Sequence, residues 1–144
     1  MFKLLSVFIF ILSYLSFSFN NNAYANDNVK LPEKITTFIQ KYCPNSKVTN
    51  IEKDVDGLNV LLSDGSKISF DNRNEWISIK CGLVININII PKVVVNSFKK
   101  NFPKDKVVMI KKSWCGFIIF TNLNNEIYLD KNGMILGSIN NNVK

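Results

Sequence analysis

Residues 44–76 read PNSKVTNIEKDVDGLNVLLSDGSKISFDNRNEW, and residues 103–135 repeat their pattern 59 positions later, without a gap, as PKDKVVMIKKSWCGFIIFTNLNNEIYLDKNGMI. The residues that recur identically include a proline, a Lys-Val pair, a glycine and an aspartate: Pro44 and Pro103, Lys47 and Lys106, Val48 and Val107, Gly57 and Gly116, Asp71 and Asp130. Self-similarity at a fixed period is typical of one supersecondary unit used twice. The sequence therefore predicts two repeats, residues 31–81 and 90–139, that bury their apolar faces together.

An amphipathic helix pattern stands near the start of each repeat. Apolar residues recur there at spacings of three and four: Ile35, Phe38, Ile39, Tyr42 and Cys43 in the first repeat, and Val94, Val95, Phe98 and Phe102 in the second. A proline lies at an early helical position and another ends each stripe, which is where prolines are tolerated. We therefore predict one helix per repeat.

Four short β-rich runs follow each helix. They cover residues 47–54, 58–63, 66–70 and 75–80, and then 106–113, 117–122, 126–129 and 134–138. The joints between them are rich in Asp, Asn and Gly, which tolerate the positive φ of hairpin turns. Runs joined by tight turns pair antiparallel, because parallel strands need long crossovers. The predicted fold class is α+β, a tandem repeat of one helix plus a four-stranded antiparallel meander, with the helices packed on one sheet face.

Two features extend this pattern. In the connector, residues 82–89, isoleucines alternate with asparagines, which predicts an added strand at the join.

Within the strands, Leu61, Ile118 and Phe120 place apolar side chains on the face opposite the alternating core positions. Such strands are either buried on both faces or face a partner.

The first 25 residues have the pattern of a cleavable signal peptide. Lys3 is a short cationic start, residues 4–19 are an apolar run, and Ala23 and Ala25 form a small-x-small cleavage signal, which predicts a cut before Asn26. A retained anchor is the alternative, but the apolar run is short for a bilayer span of ~20 residues. We expect one mature domain, residues 26–144, exported to the periplasm or secreted, with no retained transmembrane helix.

Composition excludes several kinds of catalysis. The chain has no histidine, so Ser-His-Asp and Cys-His mechanisms and histidine-ligated metals are ruled out. Asp54 and Asp56 resemble the start of a calcium loop, but residues 58–61 supply a strand where further oxygen ligands would be needed. No metal, cofactor or enzymatic activity is predicted.

Three cysteines suit one disulfide and one remaining thiol in an oxidising compartment. Cys43 takes the position of Phe102 in the second repeat, which indicates a buried, inert side chain. The predicted pair is then Cys81 with Cys115, although the sequence leaves open whether they approach within bonding geometry.

Positive charge is concentrated in the second repeat. Residues 31–81 carry seven basic and seven acidic side chains, whereas residues 90–139 carry eight basic and three acidic ones, a net charge of +5. One interpretation is a solvated surface that keeps the protein soluble. The other is a docking surface for an anionic protein, lipid headgroups or a cell-wall polymer, with Lys99, Lys100, Lys111 and Lys112 as candidates. The export signal argues against nucleic acid as a partner.

Trp114 is the candidate aromatic anchor. It falls at a predicted hairpin tip where the first repeat has Val55, and it is close in sequence to Lys111, Lys112 and Cys115. An aromatic residue beside cations is common at interfaces, but a tryptophan folded over the end of the core is an open alternative. Trp76, on a predicted strand, is expected in the core.

These residues resemble the PepSY-like, β-lactamase-inhibitor-like family. The resemblance rests on Leu31-Pro-Glu, the helix, Tyr-Cys-Pro-Asn-Ser-Lys-Val at residues 42–48 and the Asp-Gly hairpins up to Trp76, and it covers residues 31–138. It implies a tandem helix-plus-four-strand architecture in a bacterial envelope protein. The chain departs from the family pattern at Ile135, where an aromatic residue would follow the last turn.

The predicted function is an exported, non-catalytic binding module. It would bind another envelope or extracellular protein, with inhibition as one form of that binding, through Trp114 or through the open sheet face around Leu61 and Phe120. The alternative is an accessory domain that binds an anionic envelope component through the basic second repeat.

Overall fold

A computed structural model describes residues 30–82 and 85–142. The first half contains α1 (Glu33–Tyr42), β1 (Val48–Asp54), β2 (Gly57–Leu62), β3 (Lys67–Asp71) and β4 (Trp76–Lys80). A short 3-10 helix (Ile87–Ile89) leads into α2 (Lys92–Asn101), β5 (Val107–Lys112), β6 (Gly116–Thr121), β7 (Asn125–Asp130) and β8 (Ile135–Asn140). The expected signal peptide, residues 1–25, and its cleavage before Asn26 lie outside the described residues.

The strands form one antiparallel sheet of eight strands in chain order, β1 to β8. The two halves meet where β4 pairs with β5, and the buried pair Ile79 and Ile110 lies at this junction. The predicted α+β class with antiparallel strands is confirmed.

Both helices begin after a proline and end in the same way. Pro32 and Pro91 are the N-cap residues, and their carbonyl oxygens accept hydrogen bonds from the first turn. At the other end, the N–H of Cys43 donates to Ile39 and that of Phe102 donates to Phe98. The apolar stripe of each helix faces the sheet.

One hydrophobic core joins the helices to the sheet. Ile35 and Ile39 of α1 and Val94, Val95 and Phe98 of α2 belong to the same buried cluster as the core-facing strand residues. Trp76 is 8% exposed and belongs to this cluster, as expected. Full burial of each large apolar side chain contributes ~1.5–3 kcal/mol.

The shared glycines permit close backbone approach between strands. A Cβ at Gly57 would overlap the carbonyl oxygen of Phe70, and a Cβ at Gly116 would overlap that of Leu129. Any other residue would push β2 from β3, or β6 from β7. The recurrence of glycine at these two positions therefore has a steric cause.

The shared aspartates close the last turn of each half. Asp71 Oδ1 accepts hydrogen bonds from the N–H groups of Arg73 and Glu75, at 2.9 Å each. Asp130 Oδ1 accepts from Asn132 at 2.8 Å and Met134 at 2.7 Å. The bonds to Asp71, led by that from Glu75, lower the pKa of its carboxyl.

The connector differs from the predicted strand. Asn86 Oδ1 accepts from the N–H of Asn88, and the N–H of Ile90 donates to Ile87, so the chain turns into a 3-10 helix. This turn buries Ile85 and Ile90 in the core. A local asparagine cap thus replaces the pairing that alternation suggested.

Candidate functional site

The sheet face opposite the helices carries two cross-strand rows of side chains. From β1 to β8 the first row is Asn50, Leu61, Lys67, Lys80, Met109, Phe120, Glu126 and Ile139. The second row is Glu52, Asn59, Ser69, Ser78, Lys111, Ile118, Tyr128 and Gly137. We call this surface the open face, since both helices pack against the other side.

The open face changes character at the junction of the two halves. On β1 to β4 its residues are mostly polar, whereas on β5 to β8 they include a cluster of apolar and aromatic side chains. We call this cluster the apolar patch; it consists of Met109, Ile118, Phe120, Tyr128 and Ile139. The first four are half-buried and Ile139 is exposed.

Charged groups border the apolar patch. The Lys111 ammonium lies 5.3 Å from the centroid of the Phe120 ring, which is within the range of a cation–π contact. Glu126 accepts a hydrogen bond of 2.5 Å from the Tyr128 hydroxyl, and this bond raises the pKa of Tyr128. The patch therefore combines aromatic surface with a lysine flank and one carboxylate.

Leu61 and Phe120 lie on the open face but not in one cluster. Three strands separate β2 from β6, so at ~4.8 Å per strand the two residues are ~19 Å apart. Leu61 is 37% exposed and its row neighbours are Asn50 and Lys67. Phe120 belongs to the apolar patch and Leu61 does not.

Trp114 lies in solvent. Its side chain is 94% exposed at the tip of the β5–β6 hairpin, where Ser113 and Gly116 exchange backbone hydrogen bonds. A tryptophan at this level of exposure does not cap the core. Of the two interpretations from the sequence, only the exposed one agrees with the structure.

Lys111 and Lys112 point to opposite sides of the sheet, as neighbours in a strand do. Lys111 is on the open face, whereas the Lys112 ammonium lies 4.5 Å from the centroid of Trp76. Trp76 in turn stacks on Phe117 at 6.5 Å. Strand alternation therefore places the two candidate lysines on opposite faces of the sheet, so a partner bound to the open face would meet Lys111 but not Lys112.

Lys99 and Lys100 lie on the helix side of the protein. Both are exposed in the last turn of α2, where a cation is favoured by the helix dipole. They are separated from the open face by the sheet itself. These lysines cannot contact the same surface of a partner as the apolar patch.

The cysteines do not pair as expected. The N–H of Cys81 donates to the carbonyl of Val108 near the start of β5, whereas Cys115 lies in the hairpin after Lys112. The stretch of β5 from Val108 to Lys112 alone spans ~13 Å, and a disulfide needs Cα atoms within ~7 Å. This register keeps Cys81 and Cys115 too far apart to bond, so it rules out the predicted Cys81–Cys115 disulfide. The structure holds all three cysteines as free thiols.

Asp54, the first of the two aspartates that resemble the start of a calcium loop, supports the β1–β2 turn. Asp54 Oδ1 accepts a hydrogen bond from the N–H of Val55 at 2.8 Å. Across residues 30–82 and 85–142, no three His, Cys, Asp or Glu side chains group as a metal site would require. In the same residues no helix has the length and apolar character needed to cross a membrane.

The residues of the apolar patch that the sequence missed are Met109, Tyr128 and Ile139. Apolar residues on both faces of β6 were a visible signal, since Ile118 and Phe120 flank the buried Ile119. The pairing that brings Met109, Tyr128 and Ile139 beside them depends on the sheet register.

Comparison with known proteins identifies a family model. The model described as "Putative beta-lactamase-inhibitor-like, PepSY-like" matches residues 56–137, more than half of the chain. No curated protein matches the sequence.

Several solved structures have the same fold. A "putative periplasmic protein" from Bacteroides vulgatus is 23% identical with a TM-score of 0.68, covering 76% of this chain and 91% of its own. A second B. vulgatus protein, a "putative periplasmic protein of unknown function", is 28% identical with a TM-score of 0.69, covering 76% and 92%. A "putative calcium-regulated periplasmic protein" from Bacteroides thetaiotaomicron is 22% identical with a TM-score of 0.70, covering 77% and 91%.

Proposed function

Since the chain belongs to the PepSY-like, β-lactamase-inhibitor-like family, we propose that it is an exported, non-catalytic protein-binding module. The observation that carries the proposal is the apolar patch on the open face, which neither α1 nor α2 covers. A contiguous apolar patch on the surface of a protein is a common mark of an interaction site. The N-terminal signal pattern and the periplasmic descriptions of the structural neighbours support export.

The chemistry of the patch favours a protein partner. Phe120 and Tyr128 provide rigid aromatic surface of the kind that is enriched at the centre of interfaces. Lys67, Lys80 and Lys111 lie on the same face toward the first half. A partner that places an apolar residue on the patch and carboxylates beside these lysines would be complementary to this surface.

Trp114 extends the surface beyond one end of the sheet. Ile118 and Lys111 are paired across β5 and β6 on the side of the patch nearest the Trp114 hairpin. A partner that covers the patch can therefore reach the exposed indole as well. An inhibitory role would follow if the partner were an enzyme whose active site is covered in this way.

We also infer that the two halves are copies of one duplicated unit. The bounds of α1 and α2 differ by 59 residues, as do those of β2 and β6. This is also the offset of the recurring prolines, glycines and aspartates. Ile79 of the first half is paired with Ile110 of the second at the junction of β4 and β5. We therefore expect residues 26–89 alone to give the circular dichroism spectrum of an unfolded chain.

Capture from the native envelope fraction tests the protein-binding proposal. The immobilised wild-type chain should retain a partner at moderate salt, and Phe120→Ala should lose it. Leu61→Ala is the matched control, because Leu61 is at the corresponding position of β2, on the same face, outside the patch. Equal capture by the two variants would contradict the proposal.

Binding to an anionic envelope component is the second candidate. The exposed lysines of α2 and the following turn favour it, since Lys99, Lys100 and Lys104 form no salt bridge with any described residue. Co-sedimentation with anionic but not neutral vesicles, abolished in Lys99→Glu/Lys100→Glu and at high salt, would support this candidate. Retention of the partner by that variant would assign binding to the open face instead.

A further inference from the structure

Cys43 and Cys81 line the same cavity. It has a volume of about 200 Å³ and lies between the end of α1, the β2–β3 turn and the segment that precedes the 3-10 helix. Its other lining residues include Ser46, Asp64, Ile85 and Ile89. Both thiols are half-buried and pack against the hydrophobic core.

The segment that carries Cys43 is tied to the β2–β3 turn. Cys43 is the C-cap residue of α1, and its carbonyl accepts a hydrogen bond from the N–H of Ser46 at 3.1 Å. The Ser46 hydroxyl donates to Asp64 Oδ2 at 2.9 Å. The end of α1 is thereby held against the turn that contains Asp64.

The segment that carries Cys81 packs on the same turn. Cys81 follows β4 directly, and a Cβ on the next residue, Gly82, would come within 2.5 Å of the Asp64 carbonyl oxygen. The Asp64 turn thus contacts the neighbours of both cysteines.

Both thiols are in an environment that disfavours the thiolate. Burial, followed by the neighbouring Cys81 thiol and Asp64, raises the pKa of Cys43 to about 11. Burial is also the largest cause of the raised pKa of Cys81. Neither thiol is therefore suited to be a catalytic nucleophile in the folded protein, and a structural role fits better.

We propose that Cys43 and Cys81 form a structural disulfide in the exported protein. The proposal depends on export to an oxidising compartment, which is part of the proposed function, but not on the binding surface. The bond would join the end of α1 to the end of β4. The second half has Phe102 and Asn140 at the corresponding positions, so the link would be specific to the first half, and Cys115 would remain a single thiol.

The oxidant would be a small-molecule or protein disulfide. One cysteine, as thiolate, attacks a sulfur of this disulfide, forms a mixed disulfide and displaces the first oxidant thiolate. The other cysteine attacks the protein sulfur of the mixed disulfide and displaces the second. The cysteine pair loses two electrons and two protons, and the oxidant becomes two thiols.

Intact mass after alkylation tests the proposal on the full chain carrying Cys115→Ser. We expect protein recovered from the exported fraction to show no alkylated cysteine under denaturing, non-reducing conditions, and two alkylated cysteines after reduction. In the wild-type chain, peptide mapping should link the Cys43 peptide to the Cys81 peptide and leave Cys115 alkylated. A link that includes Cys115, or two free thiols in the Cys115→Ser chain, would overturn the proposal.

A second measurement separates the sulfur geometry from export. The reduced Cys115→Ser protein is incubated with oxidised glutathione at mildly alkaline pH. Closure of the disulfide should raise its Tm by roughly 10 °C, because a cross-link constrains the unfolded chain. Formation of glutathione mixed disulfides without a Cys43–Cys81 bond would show that the two sulfur atoms do not approach each other, and would overturn the proposal. Closure in this assay, with free thiols in the exported protein, would overturn the proposal for the exported form and show that the compartment does not oxidise the pair, although the sulfur geometry allows the bond.

Discussion

Val55 and Trp114 lie at the tips of the β1–β2 and β5–β6 hairpins, 59 residues apart, and are 90% and 94% exposed. Two large apolar side chains are therefore held in solvent by two similar turns. Neither contributes to the core, so their effects on binding can be measured without a change in folding.

Replacing Trp114 with alanine should weaken partner binding by about 2 kcal/mol, as loss of an interface aromatic does. The free energy of unfolding should change little, because the indole makes no core contact. Affinity by calorimetry and unfolding by urea titration provide the two readouts. Val55→Ala is the matched control and should leave both unchanged; a large loss of stability in Trp114→Ala would assign the residue a structural role.

Replacing Trp76 with alanine should have the reverse effect. Trp76 is buried, and it packs near Phe38 of α1 and on Phe117 of β6. Its truncation should lower the free energy of unfolding by roughly 3 to 5 kcal/mol through lost transfer energy and a cavity. Thermal unfolding of Trp76→Ala and Trp114→Ala, measured side by side, checks this. Equal stability of the two variants would contradict the assignment of Trp76 to the core and of Trp114 to the hairpin tip.

Charge reversal should separate Lys111 from Lys112. Lys111→Glu places a carboxylate on the open face next to Phe120, so it should slow association and flatten its salt dependence. Lys112→Glu removes a cation from the Trp76 ring on the other side of the sheet, which should cost ~0.5–1 kcal/mol of stability and leave the association rate nearly unchanged. Stopped-flow association at two salt concentrations measures the difference. Equal effects of both reversals on the rate would place the contact at the hairpin end rather than on the open face.

Alkaline pH should destabilise the reduced protein through Cys43. Its pKa is raised from 9.0 to about 11 in the folded state. Between these values the unfolded chain releases the thiol proton while the folded chain keeps it, so the folded state binds more protons and stability falls as pH rises. The stability is fully present below pH 9 and is lost as the pH passes through about 11.

Urea unfolding of the reduced Cys115→Ser chain, below pH 9 and near pH 11, measures this effect. Subtraction of the same series for Cys43→Ala/Cys115→Ser removes the titration of lysines and tyrosines. The disulfide-linked protein should lack the Cys43 contribution, because it has no thiol to titrate. An identical pH profile for the two reduced chains would contradict the raised pKa.

Local patterns in the sequence determined the elements of the fold. Helical spacing between prolines predicted α1 and α2, and Asp-, Asn- and Gly-rich joints predicted antiparallel strands, because these features depend on neighbours only a few residues away. The burial of Trp76 followed from its place on a strand. The connector was the exception, since Asn86 caps a 3-10 helix that the alternation of isoleucine and asparagine does not reveal.

Only the tertiary structure decided which side chains share a surface. Pairing between strands collects Met109, Phe120 and Tyr128 into one patch and leaves Leu61 outside it, and a shift of one residue would move each side chain to the other face. The same register places Lys111 and Lys112 on opposite faces and keeps Cys81 far from Cys115. The β2–β3 turn, which contacts the segments on either side of it, brings Cys43 and Cys81 to one cavity. These relationships depend on residues distant in the chain, and therefore on how the elements pack rather than on how each one forms.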